Sequence, residues 1–168
     1  GEAPMRRDFA RLLTEQRNPR SARIDSLSVP AIVDLINRED ATVAAAVRAE
    51  RGKIVRAVNL LVDRLRRGGR MFFVGAGTSG RLGVLEAAEL PPTFDTPREL
   101  AQAVMAGGPE CVWASKEGAE DDARDGARQV KARAADVVIG IAASGVTPFV
   151  HGALAEAKRR GAGRILVT

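Results

Sequence analysis

The chain has 168 residues, of which 45% are hydrophobic and 28% are charged, a composition typical of one globular domain with a buried core. The single cysteine excludes an internal disulfide. Because the chain has only one cysteine and one histidine, carboxylates would have to supply most ligands of any metal ion, and we expect no metal. No apolar run approaches about 18 residues and no signal peptide is visible, which predicts a cytoplasmic protein without a membrane span.

The net charge of +5 raises the possibility of nucleic-acid binding. The basic residues, however, cluster where predicted helices end, as in residues 64–67 and 158–160, and glycines follow these two clusters. Cations in a last helical turn complement the helix dipole, so these clusters have a local structural reason. With 4% aromatic residues and no tyrosine there is little for bases to stack on, and we expect no nucleic-acid partner.

Helices are predicted for the first part of the chain. A short helix over 9–13 is followed by a polar, proline-ended turn over 14–19, and Ser28 is a candidate N-cap for a second short helix. Apolar positions at helical spacing predict a long amphipathic helix over 41–67, with Asp40 as its cap. This helix would cover one side of a sheet or a partner subunit.

From residue 68 onward the pattern changes to alternating strands and helices. The predicted strands cover residues 70–74, 102–105, 137–141 and 164–167, and the predicted helices cover residues 80–89, 111–116, 121–133 and 148–160. The apolar runs are continuous, which indicates strands buried on both faces. We therefore predict an α/β fold, a doubly wound parallel sheet with helices on both sides.

Two domains follow from these patterns: an N-terminal helical segment over 1–67, packing on the sheet or on a partner subunit, and an α/β domain over 68–168. The chain stops at Thr168, at the end of the fourth predicted strand. Because a doubly wound sheet normally continues with at least another helix, we expect the C-terminal part of the fold to be missing.

A glycine-rich turn joins the first strand to its helix at residues 75–81. Its glycines allow a tight turn with uncovered N–H groups, and the helix start adds further donors and a positive dipole end, so an anion fits there. The hydroxyls of Thr78 and Ser79 suit a phosphate monoester, and a sugar phosphate is the first expectation.

The same residues spell G-x-G-x-x-G, the dinucleotide fingerprint, which is weak by itself. A dinucleotide site needs an acid at the end of the second strand, but Asp95 and Glu99 lie in a proline-rich loop and the strand ends with no acid before Glu110. The dinucleotide interpretation is therefore disfavoured. A purely structural glycine turn is the other alternative.

A second loop, residues 142–148, follows the third predicted strand. Ser144, Gly145 and Thr147 precede a helix with proline in its first turn, so the two hydroxyls could bind an anion or could simply cap the helix. Because ligands collect at the carboxyl ends of parallel strands, both loops are expected at one edge of the sheet.

Carboxylates are the candidate acid–base groups. Glu86 and Glu89 stand at i and i+3, as do Glu117 and Glu120, although solvated surface acids are the plainer interpretation. A carboxylate partly desolvated at a helix end can exchange protons near neutrality. His151, the sole histidine, is expected at a partly exposed helical position without a catalytic role.

Five segments together resemble one family. They are residues 75–83 (GAGTSGRLG), 89–94 (ELPPTF), 117–121 (EGAED), 143–148 (ASGVTP) and 14–19 (TEQRNP). In this order and spacing they are similar to the N-acetylmuramic acid 6-phosphate etherases, members of the sugar isomerase (SIS) phosphosugar-binding fold. The family chain is about twice as long, which puts the activity of this chain in doubt, and Leu90 replaces a frequent cysteine.

The resemblance implies cleavage of the D-lactyl ether of N-acetylmuramic acid 6-phosphate by a homodimer, without metal or nucleotide cofactor. It implies that Glu89 assists lactate departure and that Glu120 takes the C2 proton. The implied phosphate-binding residues are Gly77, Thr78, Ser79, Gly80, Ser144, Gly145 and Thr147. The alternative is a regulatory sugar-phosphate binder resembling glucokinase regulatory protein, which shares the first-loop motif but releases no product.

Overall fold

The computed structural model describes residues 13–168, and within them the chain divides into two compact units. The first unit ends at Arg56 and the second runs from Ala57 to Thr168. Except for Leu13, the helix predicted over 9–13 lies outside the described residues.

The first unit is helical, with short 3-10 turns followed by α1 (Val29–Asp40) and α2 (Val43–Ala49). The polar turn predicted over 14–19 is tied to α1 by Asn18, whose side-chain amide donates to the Glu39 carboxylate over 2.7 Å. Ser28 is the residue before α1, as predicted, but its hydroxyl makes no capping hydrogen bond.

The single helix predicted over 41–67 is wrong, because the structure has two helices there. Helix α2 ends at Ala49, and α3 runs over Arg51–Arg66. Glu50 leaves helical geometry between them, and Gly52, a poor helix former, is the second residue of α3. Asp40 is likewise not the predicted cap, since it is the last residue of α1.

The second unit contains a four-stranded sheet in the order β2-β1-β3-β4, with every neighbouring pair parallel. Its strands are β1 (Met71–Gly75), β2 (Ala101–Met105), β3 (Val137–Ile141) and β4 (Gly163–Val167). Gly75 lies opposite both Met105 and Ile141, and Ile141 lies opposite Val167. The carboxyl ends of all four strands therefore meet at one edge, and the predicted parallel sheet is confirmed.

Helices cover both faces of this sheet, as the doubly wound prediction requires. On one face, side chains of α3 and α4 (Gly77–Phe94) pack against Met71, Val137 and Ile139. On the other face, Phe149 and Ala153 of α6 (Pro148–Arg159) pack against strand residues in a separate cluster. Continuous apolar strands thus bury side chains on both sides.

Three predicted helices in this unit have the wrong bounds or the wrong type. Helix α4 does not stop at Glu89 but continues through Pro91 and Pro92 to Phe94. The carbonyls that the prolines leave without an N–H partner are those of Ala87 and Ala88, and Ala88 is exposed, so water can reach its carbonyl. The helix predicted over 121–133 is only α5 (Ala123–Gln129), and the one over 111–116 is a 3-10 turn at Pro109–Val112.

A buried carboxylate ties the amino ends of β1 and β3 together. Asp136 is 0% exposed and accepts hydrogen bonds from the backbone N–H of Arg70 over 2.8 Å and of Arg133 over 2.7 Å. The Arg70 guanidinium pairs with it over 2.9 Å. Desolvation raises the pKa of Asp136, but hydrogen bonds from Arg70 and Arg133 lower that pKa more, to below its ordinary value of 3.8.

No helix among residues 13–168 combines the length and apolar character that crossing a bilayer requires.

Candidate functional site

The turn from β1 into α4 lies at the carboxyl edge of the sheet. Gly77 is the first residue of α4 and has φ of 54°, a left-handed conformation that favours glycine. The N–H groups of Gly77, Thr78 and Ser79 belong to the first helical turn, where the helix provides no acceptors. This helix start is therefore a set of donors suited to an anion.

The predicted phosphate-binding residues of this turn differ in exposure. Thr78 is exposed and Ser79 is partly exposed, so both hydroxyls are accessible. Gly80 is buried, and its N–H donates to the Ala76 carbonyl over 3.2 Å. The backbone N–H of Gly80 is thus already bonded within the helix. The N–H groups of Gly77, Thr78 and Ser79 have no acceptor in the helix and are available to a ligand.

A cleft of about 240 Å³ opens beside this helix start. It is lined by Ala76, Gly77, Arg81, Met105, Ala106, Cys111, Ser115, Lys116, Glu117, Gly118, Ala119 and Glu120. The lining joins the first turn of α4 to the connection between β2 and α5, so Gly77 and Glu120 share one cavity. The chain bends between the two glutamates at Gly118, where φ is 71°.

Arg81 links the two sides of the cleft. Its Nε donates to the Val112 carbonyl over 2.8 Å, and its Nη2 donates to the Cys111 carbonyl over 3.0 Å. A longer contact of 3.4 Å joins Nη2 to the Ser115 hydroxyl. Sequence reasoning missed this residue, since its acceptors lie 30 to 34 positions away along the chain.

The loop after β3 stands at the same edge of the sheet, because Gly75 and Ile141 are opposite in the register. Gly145 has φ of 71°, and the Ser144 hydroxyl accepts a hydrogen bond from the Val146 N–H over 3.3 Å. Thr147 precedes α6, and its hydroxyl makes no capping bond. None of these three predicted phosphate-binding residues, Ser144, Gly145 and Thr147, lines the cleft described above.

His151 holds this second loop. It lies on α6, as predicted, and is exposed where a partly exposed position was predicted, and its Nε2 lies 2.7 Å from the carbonyl oxygen of Gly145. Since a carbonyl accepts only, Nε2 carries the proton in this contact. The histidine therefore has a structural partner in the loop that precedes its own helix.

Glu89 lies far from the cleft within one chain. Helix α4 starts at the carboxyl edge, passes Phe73 at Gly83, and packs Leu90 against the core cluster that contains Met71 and Ala101. At 1.5 Å per residue, Glu89 is about 18 Å along the helix from Gly77. Glu89 is exposed and does not line the cleft that contains Glu120.

Comparisons with known proteins give the family. Residues 53–158 match the family model for the glucokinase regulatory protein N-terminal SIS domain, well over half of the chain. The chain belongs to the SIS-domain family. A solved SIS-like neighbour is phosphoheptose isomerase from Neisseria gonorrhoeae, with a TM-score of 0.51 and 27% identity, covering 79% of this chain and 73% of that chain.

Curated relatives of this SIS domain carry the name predicted from the motifs. N-acetylmuramic acid 6-phosphate etherase from Symbiobacterium thermophilum is 52% identical over 163 residues, 96% of this chain and 54% of the relative. The protein of the same name from Gloeobacter violaceus is 53% identical over 161 residues, 94% of this chain and 53% of the relative. The resemblance is confirmed, and the chain spans about half the length of these relatives.

Proposed function

We propose that this chain carries the sugar-phosphate site of an N-acetylmuramic acid 6-phosphate etherase. The proposed reaction cleaves the D-lactyl ether and adds water, which gives N-acetylglucosamine 6-phosphate and D-lactate. The observation that carries the proposal is the identity of about half of all aligned positions with relatives of that name. The cleft supports the proposal, because the carboxylates of Glu117 and Glu120 line it together with Gly77, the first residue of α4.

Substrate binding begins with the phosphate. The N–H groups of Gly77, Thr78 and Ser79 and the accessible hydroxyls of Thr78 and Ser79 would bind the phosphate oxygens, favoured by the dipole of α4. Ser144, Gly145 and Thr147 would approach from the neighbouring loop at the same edge of the sheet. An unphosphorylated sugar lacks the phosphate oxygens to which these donors would bind.

The carboxylates would carry the chemistry on the open-chain aldehyde, whose carbonyl acidifies the proton at C2. Glu120 removes that proton, the C3–O bond breaks, and lactate leaves with a proton supplied by Glu89. Water then adds to the resulting alkene, with its hydroxyl at C3 and its proton at C2. Elimination and hydration together change no oxidation state, so this chemistry requires no redox cofactor.

A homodimer would reconcile these roles with the separation of the two glutamates. Leu82 and Leu85 are 51% and 54% exposed on α4. At 100° per residue they flank Glu89 on one face of the helix. Burial of these leucines against a second copy would bring Glu89 to the partner's cleft, and this arrangement is part of the proposal.

A regulatory sugar-phosphate binder is the second candidate, favoured by the name of the family model that matches residues 53–158. Such a protein needs the phosphate-binding helix start but no acid–base pair. The two candidates differ in one product, because a regulator binds the sugar phosphate and releases no lactate.

The deciding experiment measures D-lactate release from N-acetylmuramic acid 6-phosphate by the purified protein. We expect release, and we expect Glu120→Gln to reduce it by about 100-fold or more, since a positioned acid–base group contributes about that factor. Glu117→Gln, a matched change in the same cleft, should retain most of the activity. Sugar-phosphate binding without any lactate release would favour the regulator.

A further inference from the structure

Arg81 connects two parts of the cleft that the chain itself separates by 30 residues. Its backbone belongs to α4, one residue after Gly80 and the phosphate-binding turn. Its guanidinium donates to the carbonyls of Cys111 and Val112, at the end of the 3-10 turn Pro109–Val112. Two short hydrogen bonds from one planar group define the position of those carbonyls more tightly than one would.

The segment that Arg81 holds leads directly to the carboxylates of the cleft. After Val112 the chain continues through Ser115, a third acceptor of Arg81, to Glu117 and Glu120. Glu117 and Glu120 are exposed, so contacts of their own side chains do not fix this segment.

Arg81 bonds to neutral oxygens and not to a carboxylate, a pattern that it shares with Arg64, which donates to the carbonyls of Ala134 and Gly161. The guanidinium is partly buried and lines the cleft. In the part of the chain that the structure describes it forms no ion pair, whereas Arg67, Arg128 and Arg159 each pair with a carboxylate. Its partners are neutral oxygens of one segment, which is the pattern of a structural clamp.

We propose that Arg81 is a positioning residue, which sets the distance between the phosphate-binding turn of α4 and the carboxylate of Glu120. The role rests on the proposed etherase function, since it concerns the alignment of C2 of a bound sugar phosphate with its base. Arg81 acts by holding residues 109–116, the segment that contains its three acceptors, and it takes no proton itself. Loss of its bonds would leave the phosphate site intact but displace the base.

The kinetic test compares Arg81→Ala and Arg81→Lys with the unsubstituted protein in lactate release from N-acetylmuramic acid 6-phosphate. We expect kcat to fall by about 100-fold in Arg81→Ala, because a displacement of about 1 Å can cost that much. KM should change by less than about threefold. Arg81→Lys should be intermediate, since an ammonium cannot reproduce the planar pair of donors.

A second readout does not depend on activity. Cys111 is the sole cysteine, belongs to the clamped segment and is 5% exposed. In Arg81→Ala its labelling by a thiol reagent should accelerate by about tenfold or more, because the segment opens more often. Arg128→Ala, which removes an exposed ion pair with Asp125 in α5, is the matched control and should leave both readouts unchanged.

Three results would overturn the positioning role. They are unchanged kcat and KM in Arg81→Ala, a rise in KM with kcat unchanged, and unchanged Cys111 labelling. The second of these would mean that the guanidinium binds the substrate anion directly. If the unsubstituted protein releases no lactate, the etherase proposal fails separately, and Cys111 labelling still decides whether Arg81 holds the segment.

Discussion

Gly75 and Gly80 are in backbone contact where β1 meets α4. A Cβ atom on Gly75 would lie 2.6 Å from the Gly80 nitrogen, and one on Gly80 would lie 2.7 Å from the Gly75 carbonyl oxygen. Side-chain rotation cannot relieve either contact, because both involve backbone atoms. The two glycines therefore allow the first turn of α4, which carries the proposed phosphate-binding N–H groups, to lie against the end of β1.

Gly80→Ala should destabilise the second unit and weaken sugar-phosphate binding. Besides the contact with Gly75, the new Cβ would lie 2.3 Å from the Met105 sulfur. Overpacking of this kind costs about 1–3 kcal/mol in the free energy of unfolding. Urea denaturation measures the cost, and calorimetric titration with N-acetylglucosamine 6-phosphate measures the binding.

Gly52→Ala is the matched control for that change. The nearest atom to its added Cβ is Nη1 of Arg56, at 3.9 Å, so nothing resists the methyl group. In a helix the change should stabilise the protein by about 0.4–1 kcal/mol. A Gly80→Ala protein as stable as the unsubstituted one would mean that β1 and α4 can separate without cost.

Asp136→Asn should be strongly destabilising. The carboxylate is buried among two backbone N–H donors and the Arg70 guanidinium, and the amide would leave that cation without its partner. Breaking a buried pair in this way costs about 3–5 kcal/mol. Denaturant titration at neutral pH measures the loss.

The stability contributed by Asp136 should depend on pH in one direction. Its folded-state pKa lies below the ordinary value of 3.8, so the unfolded state takes up a proton first as the pH falls. The contribution is complete above the unfolded pKa and is lost as pH falls through the lower folded pKa. The stability difference between Asp136→Asn and the unsubstituted protein should thus be constant near neutrality and shrink below about pH 4.

Glu156→Gln removes a more exposed ion pair and is compared with Asp136→Asn, which removes the buried one. Hydrogen bonds from Arg159 and Arg160 lower the pKa of Glu156 to about 2, yet the side chains of Arg159 and Arg160 are 70% and 35% exposed. Solvent screens such pairs, so the substitution should change stability far less than Asp136→Asn. Equal losses in the two variants would contradict the importance assigned to burial.

Mixing two inactive variants tests whether Glu89 acts on the cleft of a second copy. If each site takes Glu120 from one subunit and Glu89 from the other, a heterodimer of Glu89→Gln and Glu120→Gln subunits contains one intact site. After random subunit exchange, lactate release should return to about a quarter of the unsubstituted level. Each variant alone should remain inactive.

The same mixture distinguishes the alternative arrangement. If Glu89 served its own subunit, no heterodimer would hold an intact pair, and mixing would restore nothing. A monomeric mass in sedimentation experiments would also contradict a shared site. Leu85→Glu, which places a charge on the exposed face of α4, should abolish both dimer formation and the recovery.

Ser79→Ala should weaken binding of 6-phosphorylated sugars by about 10- to 100-fold, the range expected for one hydrogen bond to a charged group. Binding of unphosphorylated N-acetylglucosamine should not change, because in the proposed site the hydroxyl contacts the phosphate and no other part of the sugar. Calorimetric titration with both sugars measures the difference. Ser26→Ala, which removes an exposed hydroxyl bonded to the Arg23 carbonyl, is the control. An equal effect on both sugars would contradict phosphate recognition by Ser79.

Much of the fold follows from local sequence pattern. The continuous apolar strands predicted a buried parallel sheet, and their boundaries agree with the structure to within one residue. The glycine turn before α4 and the hydroxyls of Thr78 and Ser79 were equally visible. These features depend on residues that are close together in the sequence, so a local sequence pattern is enough to predict them.

Tertiary packing decided the rest. Leu90 packs against the sheet, which supports a helix through two prolines that local propensity would end, and the buried state of Asp136 depends on Arg70, 66 positions away. The contacts of Arg81 and the separation of Glu89 from Glu120 follow from the path of α4 across the sheet. The sequence by itself determined which elements form and which residues could bind phosphate, whereas only three-dimensional packing determined which of those residues share a cleft, because that depends on contacts between distant parts of the chain.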